Sequence, residues 1–321
     1  MATAAPTTPA PGTGNASTRA LLTTADTRRR LTDRAMTVVV SLAFAIALVP
    51  LISLAWTVVS NGIGRLSPYF LTVSMRGVFG GMDAGGIYHA IVGTVLVTGA
   101  AAVISVPIGI MAAVYLVEYG RGPLARAVTF FVDVMTGIPS IVAGLFAYAL
   151  FAVFFGPGVR FGLVGAVALS VLMIPVVVRS CEEMLRLVPN ELREASYALG
   201  VPKWLTVVKV VLRTAVGGIV TGVMLAVARV IGETAPLLVT VGVIDSINTN
   251  VFEGRMMTLP VYVFRQYAQG LVPCTEGATD CIATVNIDRA WAAALTLILI
   301  VMALNLLARL VARWFAPKAG H

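Results

Sequence analysis

The chain has 321 residues, of which 58% are hydrophobic and 12% are charged, whereas a typical soluble domain carries about 25% charged residues. This composition excludes a soluble protein with one large core and predicts an all-α, polytopic membrane protein. The formal net charge of +8 comes mostly from basic residues beside the apolar stretches, so it gives no reason to expect a nucleic-acid partner.

Six apolar stretches are long enough to cross a hydrocarbon layer of about 30 Å as helices. We therefore predict a membrane domain with six transmembrane helices at 36–315. A disordered tail rich in Ala, Thr and Pro is predicted at 1–35, and a short C-terminus at 316–321. The predicted spans are Thr37–Ser60, Ile91–Val117, Ala127–Phe155, Phe161–Val178, Thr214–Leu238 and Ala290–Leu307.

The distribution of basic residues predicts the orientation of the chain. Sixteen Lys and Arg residues lie on the side that holds both termini, and six lie on the opposite side. Since cytoplasmic loops carry the excess of basic residues, we expect both termini in the cytoplasm. No short apolar stretch with a small-residue cleavage site precedes the first span. We therefore expect that span to remain as an anchor in a bacterial cytoplasmic membrane, in contact with lipid.

Several chemistries lack the residues that they need. The only histidines are His89 and His321, so neither an HExxH pair nor a histidine cluster predicts a metal site. The sequence contains no GxxxxGK[ST] phosphate loop and no G-x-S-x-G elbow. We therefore expect no cofactor in this chain and no catalysis by it. The classes that remain are a transporter subunit, a channel and a structural membrane protein.

The long loop at 244–289, between spans five and six, is predicted to lie on the outer side. Its apolar run at 258–264 is too short to span a membrane and is typical of a surface or re-entrant segment. Cys274 and Cys281 share this loop, where oxidation is possible. We therefore predict a disulfide between them, with unpaired thiols as the alternative.

The loop at 179–213, on the predicted cytoplasmic side, combines charge with two helical runs separated by a break at Gly200. Pro189 divides the first run, so a separate short helix is predicted after it, with Asn190 as its N-cap. We expect Arg193 and Glu194 to point outward and Gly200 to adopt a positive φ. This helix either transmits movement of a soluble partner to the transmembrane helices or lies on the membrane surface.

The stretch "EASYALGVPKWLTVVKVVL" resembles the EAA loop of ABC importer permeases, whose coupling helix docks on the ATP-binding subunit. Ser196 is a small replacement for the second Ala of the pattern. Arg213 stands where the family usually has Pro, which is expected to alter how the helix enters span five but not the docking face. The matching positions are Glu194, Ala195, Ser196, Gly200, Val210 and Leu212.

The resemblance extends over residues 28–315. The segments "VEYGRG", "DVMTGIPSIVAGLFAYAL", "IPVVVRSCEEMLRLVPNELREA" and "ARVIGETAPLL" resemble the PstA-type permeases of phosphate ABC importers, which belong to the MetI-like permeases. The resemblance implies a second, PstC-type permease subunit and two PstB-type subunits that bind ATP and Mg. It also implies an extracellular phosphate-binding protein of the PstS type.

Arg229 and Glu233 lie in the fifth predicted span, where a charge usually faces the bundle interior or an aqueous path. Four positions apart, they share one helical face and are able to pair. One interpretation is a structural ion pair. The other is a substrate path, in which the Arg229 guanidinium binds an oxyanion and Glu233 keeps its affinity modest. The family resemblance favours the substrate path.

The third predicted span contains "GIPS" at 137–140. Gly and Pro kink a helix and free backbone carbonyls, which is tolerated where they line a cavity or are buried in protein. We therefore predict that Pro139 and Ser140 border the substrate path. Asp133, near the cytoplasmic end of this span, is expected to anchor the structure by pairing with a flanking arginine such as Arg126.

These features predict a permease subunit of an ATP-driven importer, with inorganic phosphate as the substrate that the resemblance implies. Another oxyanion, such as sulfate or molybdate, stays open because one arginine does not distinguish them. An ion channel or an ATP-independent carrier is the alternative of another class. That alternative predicts activity of the isolated chain, whereas a permease needs its ATPase partner.

Overall fold

The structure, a computed structural model, describes residues 27–274 and 281–315. These residues form helices joined by turns and loops, without a β-strand, and their only β-type pairing is an isolated bridge between Met82 and Cys281. The predicted all-α class is confirmed. The chain divides into two compact units after Thr57, with the larger unit beginning at Val58.

The described residues contain twelve α-helices and two π-helical turns. The first π turn, Tyr115–Tyr119, continues α3, and the second, Val207–Val211, joins α8 to α9. The helices are α1 (Thr27–Gly62), α2 (Pro68–Thr72), α3 (Tyr88–Val114), α4 (Pro123–Thr136), α5 (Ser140–Phe155), α6 (Gly162–Arg186), α7 (Asn190–Ala198), α8 (Lys203–Thr206), α9 (Leu212–Val230), α10 (Ala235–Thr240), α11 (Leu259–Gln269) and α12 (Val285–Phe315).

Five continuous helical segments are long and apolar enough to cross a membrane, and the bent pair of α4 and α5 makes a sixth if it counts as one span. The chain is therefore a multi-pass membrane protein, as predicted. The five segments are Arg29–Gly62, Tyr88–Tyr119, Gly162–Arg186, Lys203–Val230 and Val285–Val311.

The third predicted span, Ala127–Phe155, is wrong as a single helix. Helices α4 and α5 are bent by 109° at the break between them. Pro139 lacks a backbone donor, and its ring disfavours helical conformation in the residue before it, so α4 ends at Thr136 and α5 begins at Ser140. The expected kink is thus a sharp turn, somewhat larger than a right angle.

The fourth and fifth predicted spans have different ends in the structure. Helix α6 continues past Val178 to Arg186, because its charged side chains pair with neighbours and do not need to leave the helix. The fifth span begins earlier than predicted, at Lys203, and α9 ends at Val230. A glycine at 232 and a proline at 236 fit poorly in a helix interior, so the predicted end at Leu238 is wrong.

Helix α1 begins inside the stretch that was predicted as a disordered tail. It starts at Thr27, because the Arg-rich run after it contains good helix formers and leads directly into the apolar span. The rest of the predicted tail, 1–26, and the predicted C-terminus, 316–321, lie outside the described residues.

Helix α6 lies at the centre of the larger unit and packs along α3. Gly109 of α3 makes this approach possible, since a Cβ atom there would lie 2.6 Å from Val177 Cγ1 of α6. Small fully buried residues line both helices, as is usual where membrane helices pack without a hydrophobic driving force. They include Ala101, Ala113, Ala166 and Ala168.

The loop that was predicted as a surface or re-entrant segment forms helix α11, whose first turn is buried and whose last turn is exposed. Its first amide, on Leu259, donates a 2.8 Å hydrogen bond to Thr94 Oγ1 of α3. Gly93 allows this contact, because a Cβ atom there would lie 2.0 Å from Met257 O. Further along the same loop, Cys274 and Cys281 form a disulfide with a Cα–Cα distance of 5.8 Å.

Candidate functional site

Helix α7, the predicted coupling helix, is a separate nine-residue element. Pro189 precedes it in an extended conformation and occupies the N-cap position, where its missing donor costs nothing. Asn190 is therefore the first helical residue, and the prediction that it caps the helix is wrong. At the other end Gly200 has a φ of +75° and its amide donates to Tyr197 O at 2.9 Å. The predicted positive-φ turn is present.

One face of α7 is fixed to the rest of the chain. Ser196 is 8% exposed, and its hydroxyl forms a 2.8 Å hydrogen bond with Thr206 Oγ1 at the end of α8. The Arg193 side chain turns back and pairs with Glu118 of the first π turn. The prediction that Arg193 points outward is therefore wrong, since a buried carboxylate in the helix before α4 holds its guanidinium.

The opposite face of α7 is open. Three of the four predicted coupling residues, Glu194, Ala195 and Gly200, are exposed. Large exposed apolar side chains lie near them in the sequence, so this segment presents apolar surface outside the fold. These side chains are Leu192 (41% exposed), Tyr197 (41%), Leu199 (83%) and Trp204 (62%).

The predicted pair in the fifth span does not form. Arg229 is exposed in the last turn of α9, and Glu233 follows in a non-helical connection. In the described part of the chain, neither side chain makes an ion pair or a side-chain hydrogen bond. The helix breaks between the two residues, so their four-residue spacing no longer places them on one helical face. Among the residues that the structure describes, no carboxylate therefore neutralises the Arg229 guanidinium.

Pro139 and Ser140 lie at the bend between α4 and α5. Pro139 is exposed and precedes α5, and Ser140 is the half-buried first residue of that helix. The carbonyl of Pro139 accepts hydrogen bonds from the amides of Val142 and Ala143, at 2.9 and 3.2 Å. The backbone of the break is therefore held firmly on the α5 side.

The structure brings α5, the second half of the bent pair, against α10, the short helix that follows the fifth span. Gly144, one turn into α5, lies against Pro236 in α10, since a Cβ atom at Gly144 would lie 2.6 Å from Pro236 Cα. Helix pairs broken near the middle of a span are where transporters commonly build substrate paths. The sequence signalled both breaks through Gly and Pro but not their contact.

Asp133 pairs with Arg179 of α6 and not, as predicted, with Arg126. Arg179 also binds Glu182 at 2.9 Å, and Glu182 binds Arg186 at 2.6 Å. Sequence reasoning placed Arg179 in a loop, so the alternation of charge along the continuation of α6 was missed. The network connects α4 to α6 on the same side of the bundle as α7.

A buried arginine on the other side was also missed. Arg289 is 1% exposed, and its Nη2 donates to the carbonyls of Met82 and Ala84, at 2.7 and 2.8 Å. It also lines a cavity of about 490 Å³ with Asp245, Arg265 and Gln266. In the described residues, no group of three His, Cys, Asp or Glu side chains is arranged to hold a metal ion.

Comparison with known proteins decides the family. A model of the "binding-protein-dependent transport system inner membrane component" matches residues 105–321, which include α7, the bent pair of α4 and α5, and the fifth span. The chain belongs to this family of permeases. The match begins within α3, so the elements that carry the candidate site lie inside the family's shared region.

Mycobacterial permeases resemble this permease along most of its length. The phosphate transport system permease protein PstA 1 of Mycobacterium tuberculosis (strain ATCC 25618 / H37Rv) is 47% identical over 285 residues, which cover 88% of each chain. PstA of Mycobacterium leprae (strain TN) is 47% identical over 280 residues, covering 87% of this chain and 88% of its own.

Solved structures of ABC transporters share the fold of this permease. A chain of a bacterial alginate ABC transporter, solved with an alginate-bound periplasmic protein, superposes with a TM-score of 0.60 at 14% sequence identity. The match covers 92% of this permease and 98% of that chain. At this identity the likeness shows the fold alone.

Proposed function

We propose that this chain is the membrane-spanning permease subunit of an ATP-driven importer of inorganic phosphate. The observation that carries the proposal is the 47% identity, over 88% of both chains, to a permease described as part of a phosphate transport system. In this proposal the chain pairs with a PstC-type permease subunit, two PstB-type ATP-binding subunits and an extracellular PstS-type phosphate-binding protein. ATP and Mg are bound by the PstB-type subunits, since this chain has no phosphate loop.

The open face of α7 is the proposed docking surface for an ATP-binding subunit. Exposed apolar side chains lie near Glu194 and Ala195 in the sequence. The other face of α7 is held to the permease by Ser196 and Arg193, so a movement of the docked subunit is transmitted to the permease. Ser196 has a different role in this proposal. It holds α7 to α8 through Thr206 and does not touch the partner.

The proposed substrate path contains Arg229, Glu233, Pro139 and Ser140. Arg229 carries an unneutralised guanidinium at the end of α9, and a planar guanidinium suits an oxyanion. Glu233, nearby but unpaired, limits the affinity of the path, because conduction requires release as well as binding. The contact of Gly144 in α5 with Pro236 in α10 supports this path, since it joins the helices that follow Pro139 and Glu233.

The chain is proposed to lie in a bacterial cytoplasmic membrane with both termini in the cytoplasm, as the distribution of basic residues indicates. Helix α7 and the network around Glu182 then face the cytoplasm. The disulfide and the cavity beside Arg289 face outward, in a position to meet the phosphate-binding protein.

Uptake in cells tests this function. In a bacterial strain that lacks its own high-affinity phosphate importers, the chain with its three partner proteins should restore uptake of labelled phosphate at micromolar concentration. An excess of sulfate or molybdate should leave that uptake unchanged. Competition by sulfate would instead assign another oxyanion, and uptake by the chain expressed alone would indicate a channel or carrier.

A further inference from the structure

Two basic side chains of the segment around α7 converge on one turn of the second span. Arg193 Nε and Nη2 donate hydrogen bonds to Glu118 Oε1, at 3.1 and 2.9 Å. The Lys203 ammonium donates to the backbone carbonyl of Glu118 and lies 4.7 Å from the centre of the Tyr119 ring. The segment from 190 to 203 is thus attached near both ends to two adjacent residues of the first π turn.

The ion pair is well buried. The side chains of Glu118 and Arg193 are 5% and 13% exposed, whereas Arg186, in the pair with Glu182, is 67% exposed. Arg193 also donates to the carbonyls of Val188 and Leu185, at 2.5 and 3.0 Å. Because a buried charge is costly without its partner, this pair holds α7 in one position relative to the second span.

The backbone carbonyl of Glu118 depends on Lys203 for its hydrogen bond. The helix ends at Tyr119, so no backbone amide further along the helix donates a hydrogen bond to the Glu118 carbonyl. Lys203 supplies that donor, and a cation at a helix C-terminus is favourable in itself. A π turn is also typical of functional positions, since it inserts an extra residue into the helical ladder.

We propose that Glu118 is a positioning residue through which movement of α7 reaches the second span. Helix α3 packs tightly against α6 at Gly109, so a displacement of the first π turn acts on the α3–α6 pair at the centre of the bundle. The route through the chain itself, by way of α8 into the fifth span, is a separate connection. This inference rests on the proposed function, because it takes α7 as the docking site of an ATP-binding subunit.

The test uses the complete importer, purified and reconstituted in proteoliposomes with the phosphate-binding protein. Glu118→Gln keeps the size of the side chain and an acceptor for Arg193 but removes its charge. The measured quantity is phosphate transported per ATP hydrolysed, at equal amounts of assembled complex. We expect this ratio to fall about tenfold, in the usual range of coupling between sites. Arg186→Gln, which removes the exposed arginine of the Arg186–Glu182 pair and leaves Glu182 paired with Arg179, should leave the ratio unchanged.

Lys203→Met provides an independent arm, since Lys203 is exposed and its loss removes only the bond to the Glu118 carbonyl and the contact with Tyr119. We expect this variant to assemble normally and to lower the ratio as well, by a smaller factor. An unchanged ratio in assembled Glu118→Gln would overturn the proposal. If Glu118→Gln does not assemble, an unchanged ratio in Lys203→Met overturns it.

The proposed function fails in a different way. If the wild-type complex hydrolyses ATP but transports another oxyanion, the substrate is wrong, and the same ratio is then measured with that anion. If the wild-type chain transports phosphate without ATP-binding subunits, the docking role of α7 is wrong and the role of Glu118 falls with it.

Discussion

Gly144 of α5 lies in close contact with Pro236 of α10. A Cβ atom at Gly144 would lie 2.6 Å from Pro236 Cα and 3.0 Å from Pro236 O. Both neighbours are backbone atoms, so they do not move aside as the end of a flexible side chain would. The pairing of α5 with α10 therefore requires glycine at this position.

Gly144→Ala should lower the free energy of unfolding by about 1–3 kcal/mol through overpacking. The matched control is Gly99→Ala in α3, where a Cβ atom meets nothing within 4 Å. Alanine in place of glycine in a helix interior stabilises by about 0.5–1 kcal/mol. Thermal unfolding of both variants in detergent checks this. Equal melting temperatures would mean that α5 and α10 do not touch as described.

Arg229→Gln should abolish phosphate uptake and leave assembly of the complex intact, because the guanidinium is the positive charge of the proposed path. Glu233→Gln should slow uptake without abolishing it, since in the proposed path Glu233 limits the affinity and is not the ion-pair partner of Arg229. Arg213→Gln, an exposed arginine at the other end of α9, serves as the control. Uptake by Arg229→Gln at the wild-type rate would remove Arg229 from the path.

The disulfide predicts the number of free thiols. Denatured protein that has not been reduced should show one thiol, from Cys181, and reduced protein should show three. Closing a loop of this length stabilises the folded state by about 2–3 kcal/mol in the chain-entropy model. Replacing Cys274 and Cys281 by Ser should therefore lower the melting temperature. Three thiols without reductant would contradict the bridge.

Two arginines beside the same cavity should differ in their effect on stability. Arg289→Met leaves the carbonyls of Met82 and Ala84 without their donor, and buried groups that lose a charged partner cost about 1–3 kcal/mol or more. Arg265→Gln removes a partly exposed pair with Asp245, which is worth about 0–1 kcal/mol. Thermal unfolding compares them. A larger loss of stability from Arg265→Gln than from Arg289→Met would show that the hydrogen bonds of Arg289 to Met82 and Ala84 do not stabilise the fold.

Tyr262 should make the protein less stable at alkaline pH. Burial raises the pKa of Tyr262 above its ordinary value, about 10. The unfolded chain therefore loses this proton at a lower pH than the folded chain. The contribution of Tyr262 is fully present below about pH 10 and is lost as the pH rises above it.

Tyr262→Phe should remove that part of the alkaline destabilisation and have little effect near neutral pH. The hydroxyl of Tyr262 has no hydrogen-bond partner in the described residues, so the substitution leaves no group unsatisfied. Melting temperatures of both proteins between about pH 8 and about pH 11 give the comparison. Parallel curves would mean that the hydroxyl is not buried.

Much of the fold follows from local pattern. Long apolar stretches predicted the spans, and Pro189 and Gly200 predicted both ends of α7, because these signals act within a few residues. The ends of the spans were harder to predict where charged residues stay helical. Arg179 looked like the start of a loop, but its pairing with Asp133 and Glu182 keeps it in α6.

The contacts of the candidate site depend on partners distant in sequence. Arg193 was expected to face water because a charged residue on a short surface helix usually does. Its partner Glu118 lies 75 positions away, and no local pattern indicates it. The spacing of Arg229 and Glu233 predicted a pair only on the assumption of an unbroken helix, and the break after Val230 removes that assumption.

The measurement that tests the central claim most directly is the initial rate of labelled phosphate uptake into proteoliposomes that contain the purified complex. A permease of an ATP-driven phosphate importer should give uptake only when ATP reaches the ATP-binding subunits and the phosphate-binding protein is present on the opposite side. Proteoliposomes with this chain alone should take up none. Phosphate uptake by the chain alone, or by the complex without ATP, would show that the chain is a channel or carrier and not a permease driven by ATP.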